Sequence, residues 1–227
     1  MLEKYNQQNS YRENLLNHIF NVMKENESFL CKDARDVYDE VIELVNDAID
    51  YARLISSQKD YSNRAISFFF LHVFLPQSYA IYADLLTGNL PICFGELRLM
   101  VESLAKSFSA DYMWQEDKFF GEKLEMIEEY MRKEKKNITN LIGVAENTLG
   151  IQGDFSDLWR RLSKEWVHPG GLMKRVVDYV ANREDAPPWG LVIPMRYNQN
   201  DLPEINSLGQ DIVKFRKILE IVMKKLF

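Results

Sequence analysis

The chain is expected to fold as a single all-α domain over residues 1–227, a helical bundle of about seven or eight helices. Three observations predict this. Apolar residues recur at helical spacing in one segment after another. Glycine, proline, asparagine and aspartate punctuate those segments where helices start and stop. The composition, 46% hydrophobic and 27% charged, suits one globular core, with no linker or low-complexity tract.

The first helix is expected from Tyr11 to Phe29, with Leu15, Ile19, Val22 and Met23 on one stripe. Asp33 to Ser56 repeats the pattern through Val37, Val41, Leu44, Val45, Ala48, Tyr51, Ala52 and Ile55. Asp60 or Ser62 can cap a third helix, which runs through Phe68-Phe69-Phe70 to Thr87. Pro76 must kink or break it, because its ring lacks an amide proton and clashes with the preceding turn. Gly88 suits the C-cap. Asn89 caps the next helix, Pro91 lies in its first turn, and Ile92, Leu97, Met100, Val101, Leu104 and Phe108 carry it to Trp114. Glu116 to Lys136 is a charged helix with a thinner stripe (Phe119, Phe120, Leu124, Ile127, Tyr130, Met131), as expected at the edge of a bundle. Asn137 to Leu149 is shorter and closes on Gly150. Asp154 or Ser156 caps a helix that runs into LWRRLSKEWVHPGG, residues 158–171, and stops at Pro169-Gly170-Gly171. Leu172 to Ala181 reads equally as helix or strand. Arg183 to Asn200 holds Pro187, Pro188, Gly190 and Pro194 around Leu191-Val192-Ile193, and reads as an irregular insert with room for a strand. Asp201 caps a last helix striped by Ile205, Leu208, Ile212, Phe215, Ile218, Leu219, Val222 and Leu226.

The net charge of −6 argues against a general nucleic-acid binder. A local basic patch, Arg132 to Lys136 with Lys123, can still touch the phosphates of RNA; a solvated helix end explains it equally well. Cys31 and Cys93 stand alone and read as two buried thiols in a reducing compartment, or as one long-range disulfide. The N-terminal MLEKYNQQNSYREN has no apolar export core. The run Ile66 to Leu86 contains Ser67, His72, Pro76, Gln77, Ser78 and Asp84, too polar for a span. A cytoplasmic location with no membrane partner is expected. His72, amid apolar neighbours, reads as a satisfied core histidine, and the Phe68–Phe70 run with Tyr79 and Tyr82 as core packing.

Chemistry is most concentrated in the 158–171 segment. Arg161 and His168 lie seven residues apart, about two turns, so a permanent cation and an imidazole titrating near neutrality share a face. Such a pair can perform acid–base chemistry on a phosphate ester. Earlier in the chain, Arg98 and Glu102 are i,i+4 on a mostly apolar helix. If buried they need partners, and His168 or Arg161 would serve. Glu165 and His168 make one Glu-x-x-His unit, the kind that di-iron bundles use twice, but no second copy occurs. His18 and His72 sit near no ligand spacing, so neither a metal nor another cofactor is expected. No glycine-rich phosphate loop, nucleophile elbow, zinc signature or DNA-binding motif is present.

The Arg161-x(6)-His168 spacing resembles the signature of the HEPN superfamily, small helical bundles that include many ribonucleases of toxin and defence systems. That resemblance implies a homodimer in which two motifs meet, with His168 activating the ribose 2′-hydroxyl and Arg161 stabilising phosphate charge. Six intervening residues is the upper limit of the pattern, and Leu162 follows Arg161 where catalytic members carry a polar residue. A looser resemblance joins Arg98-x-x-x-Glu102 with Leu162-Ser163 and Val167-His168-Pro169. It is to uncharacterised helical proteins, and it implies a shared polar centre without an activity. Two functions are therefore expected: an interaction or ligand-binding module with a buried Arg/Glu/His centre, or a metal-independent ribonuclease of stress or defence. The insert, with Trp189, Met195 and Tyr197, offers a lid or a dimer contact.

Overall fold

A computed structural model describes residues 2–115, 118–167 and 194–226, the side chains of 2–12, 165 and 167 excepted. Eight helical runs and no strand form among them: α1 (Leu2–Asp33), α2 (Arg35–Ser56), α3 (Ala65–Thr87), α4 (Leu90–Met113), α5 (Phe120–Lys133), α6 (Ile138–Leu149), α7 (Asp154–Leu162) and α8 (Leu202–Leu226). Among the described residues the all-α expectation and its helix number hold. Leu172–Ala181 and the 183–193 part of the insert lie outside the described residues. The remainder of the insert is irregular up to one 3₁₀ turn, Gln199–Asp201.

The axis of the bundle is α4. Leu97, Met100, Val101, Leu104 and Ala105 are fully buried, and α3, α5, α6, α7 and α8 all pack around them. A helix apolar over so wide an arc has to be enclosed, and each fully buried Leu or Met side chain contributes about 1.5–3 kcal/mol. The thinner stripe of α5 puts only Ile127 wholly inside, so the helix sits at the edge as its composition implied. Its start is Phe120, later than the expected Glu116, which lies outside the described residues.

Around Pro76 the expected break takes another form. Phe69–Phe74 is a π turn, and the proline falls at the start of the regular helix that follows. One extra residue in the turn accommodates the ring, so α3 continues as a single run. By length and composition this run could cross a membrane. Its Phe69, Phe70, Phe74, Ile81 and Leu85 are fully buried in the bundle, where Tyr51 meets Phe70 edge-on at 5.6 Å and Phe215 meets Phe74 at 6.0 Å. His72 faces the other way. It is exposed and stands against Phe68 and Phe120, with centroids at 5.4 and 6.0 Å, which corrects the expectation of a core histidine.

Three staples fix the helices relative to one another. The Asp111 carboxylate accepts from the amides of Ala65 and Ile66 at 2.8 Å each, capping α3 from α4, while buried Lys123 pairs with it at 3.1 Å. Gly209 lets α8 lie against α2; a Cβ there would sit 2.8 Å from Val37 Cγ2. On the same pair of helices Arg216 bonds Asp47 and Glu40, each at 2.6 Å. The third staple ties the chain after the insert to the α3–α4 turn. Gly88 turns with φ +80°, Met195 N–H donates to Thr87 O at 2.9 Å, and Asn26 Nδ2 donates to Leu86 O and Met195 O at 2.8 Å each. Tyr197 completes it by donating its amide to Asn26 Oδ1 and its hydroxyl to Leu85 O.

Two further expectations change. Cys93 is buried, but Cys31 is exposed, and both are free thiols. On the α1 stripe Val22 is buried and Ile19 and Met23 are half-buried, whereas Leu15 is 59% exposed.

Candidate functional site

The polar side chains singled out in the sequence meet at α4, α7 and α8. α7 begins at Gly153, φ +90°, rather than at a capping Asp154; the Glu146 carboxylate of α6 takes up the Ser156 amide at 2.7 Å. Phe155, Leu158 and Leu162 face the core. After Leu162 the helix widens into a π turn, Ser163–Val167. Trp166 is thereby delivered to the next inward position and stacks on Phe94 of α4, with centroids 3.6 Å apart and planes 10° from parallel.

Two polar clusters flank α7. On the α4 side, Glu102 Oε1 accepts from Trp159 Nε1 at 2.9 Å and pairs with Arg98 at 2.9 Å. Arg98 and Glu102 are about a quarter exposed, so the pair lies at the rim of the core rather than deep within it. On the α8 side, Arg161 donates to Ser207 Oγ at 2.8 Å and to Ser207 O at 3.3 Å, and forms an ion pair with Asp211. Asp211 has no exposed surface, so its charge depends on the guanidinium.

The expected meeting of Arg161 with Arg98 and Glu102 is not what the geometry provides. Trp159 and Arg161 are two residues apart and therefore point to roughly opposite sides of α7. The indole takes the place expected for the guanidinium beside Glu102, and Arg161 turns to α8. His168 lies outside the described residues, as does the side chain of Glu165, whose backbone belongs to the π turn. Among the described residues no group of three or more His, Cys, Asp or Glu could hold a metal ion.

Sequence reasoning missed Asp211 and Ser207. The signal was present: Asp211 lies among Leu208, Ile212 and Phe215 on the core-facing stripe of α8, a place where a carboxylate needs a cation. It also missed a second acidic site at the α3–α4 hairpin. Burial and the neighbouring Asp84 carboxylate push the Glu96 carboxyl up to about 8, so it holds its proton at neutral pH. Asp84 meanwhile accepts from Asn89 Nδ2 at 2.9 Å. Nearby, burial pushes the Cys93 thiol well up, which leaves it an unreactive core side chain.

Chemically, these clusters bind helices to helices. Each hydrogen-bonding group of Arg161 and Glu102 that is described above points at another part of the same chain. No family model, no curated protein and no solved structure matches this chain.

Proposed function

We propose that this chain is a non-enzymatic interaction module whose Arg98–Glu102–Trp159 and Arg161–Ser207–Asp211 clusters set helix register. The observation that supports this reading is the engagement of Arg161. A phosphate clamp presents its donors to a ligand, whereas this guanidinium is turned to a buried carboxylate and a serine of α8. Withdrawing it to meet a phosphate would leave Asp211 as an uncompensated buried charge.

The test is cleavage of RNA without added metal, by the wild-type chain and by His168→Ala. Neither is expected to cleave. Cleavage by the wild type that disappears in His168→Ala, with the urea midpoint unchanged, overturns this reading in favour of a ribonuclease.

A further inference from the structure

The first helix leaves the bundle before its apolar stripe ends. From Glu13 to Asn21 every residue is exposed except half-buried Ile19, whereas Val22, Asn26 and Leu30 on the following turns are buried. Leu15, Leu16 and Phe20 remain 59%, 54% and 57% exposed. Their spacing puts them with Ile19 on one side of the helix, continuous with the stripe that α1 buries further on. Large apolar side chains grouped in this way mark a contact surface more than isolated ones do.

The charges beside this patch indicate what covers it. Residues eleven apart on an α-helix return to within about 20° of one another after about three turns. Glu13 and Lys24 are so related, both are exposed, and both flank the Leu16–Phe20 edge of the patch. Neither side chain is engaged by another described residue.

We infer that a second copy of this chain covers the patch, with its α1 antiparallel to the first. A two-fold axis passing between His18 and Ile19 sets Glu13 of each copy against Lys24 of the other. It also overlaps Leu15, Leu16 and Phe20 of the two copies. A parallel two-fold pairing would carry the Glu13–Lys24 edges of the two helices to opposite sides of the contact, where these charges do not meet. Charge therefore fixes the orientation, and the apolar contact supplies the affinity. This inference rests on reading the chain as an interaction module, yet the two fail separately. RNA cleavage lost in His168→Ala removes that reading at any oligomeric state, while a monomeric chain removes this one whatever the cleavage result.

Sedimentation equilibrium of the full chain at micromolar concentration tests it. The wild type is expected to dimerise. Glu13→Lys or Lys24→Glu alone should weaken the dimer by about tenfold, because each replaces two attractions with two repulsions. The double exchange should restore it. Leu16→Glu with Phe20→Glu should give a monomer whose far-UV circular dichroism and urea midpoint match the wild type, since neither side chain lies in the core. A wild-type chain that stays monomeric at high micromolar concentration overturns the inference, and more pointedly so if it binds phospholipid vesicles through the same patch. A dimer indifferent to the charge exchange overturns the antiparallel pairing.

Discussion

Replacing Arg161 by methionine is expected to cost about 3 kcal/mol of folding stability, at the low end of the range for breaking a buried ion pair. The structure sets both limits of that figure. Asp211 is wholly enclosed, so once the guanidinium is gone its carboxylate must stay charged without a partner or take up a proton at an energetic cost. The Arg161 end is 26% exposed, so water moderates the loss and the top of the range is not reached. Asp211→Asn should cost less, about 1–2 kcal/mol, because Arg161 keeps Ser207 and some access to solvent. In the double variant Arg161→Met with Asp211→Leu no charge is stranded, and its cost should fall short of the sum by about 2 kcal/mol or more. Urea denaturation at neutral pH reads all four proteins, with the slope against denaturant held as a check that the unfolded state is unchanged. An Arg161→Met variant within about 0.5 kcal/mol of the wild type, or a strictly additive double variant, would refute the clamp.

Other outcomes follow from the same geometry. Glu96 carries a pKa of about 8 in the fold against an ordinary carboxyl value near 4.5 when unfolded. Its contribution is therefore complete below about pH 4.5 and lost as pH rises through about 8. Allowing for its partial exposure, about 1–2 kcal/mol should disappear over that window, and Glu96→Gln should flatten the decline in urea midpoint. Gly88→Ala forces a left-handed φ on a residue with a side chain and drives its Cβ into the Met195 carbonyl, for a cost of about 2–3 kcal/mol seen as a lowered Tm. Asp111→Ala removes the acceptor of two α3 amides and strands Lys123. About 3 kcal/mol should be lost, and hydrogen exchange should quicken first at Ala65 and Ile66.

How far the chain could be read in advance depends on the range of the interaction. Periodicity marks which face of a helix is apolar, and α2, α4 and α8 bury most of the residues it marks, although Ile92 in the first turn of α4 stays exposed. Whether anything covers that face is a tertiary fact, so the α1 stripe looked the same at Leu15 as at Val22. Pro76 located a disturbance, but choosing a π turn over a kink required Tyr51 and Phe215 to hold the phenylalanines around it. His72 sits among apolar neighbours in sequence that point to the other side of the helix. At the candidate site, Arg98 and Glu102 were visible because an i,i+4 pair is local. Asp211 announced a need for a cation without naming one, since Arg161 is fifty residues away and no spacing links them. Trp159 was hidden by its type: an indole on an amphipathic helix reads as core, and only its reach to Glu102 shows a donor at work.

The close approach of α2 and α8 at Gly209 bears on how the chain is made. Arg216 and Asp47 are 169 residues apart in sequence, and the groove beside Val37 is filled only when α8 arrives. At a synthesis rate of about 5–20 residues per second, α2 waits roughly ten to thirty seconds for its last neighbour. Through that interval its pairing with α3 shields one side, and the side meant for α8 stays open to water and to other nascent chains. A ribosome stalled before residue 202 would hold a bundle lacking its final helix, with Val37 at the bottom of an unfilled apolar groove.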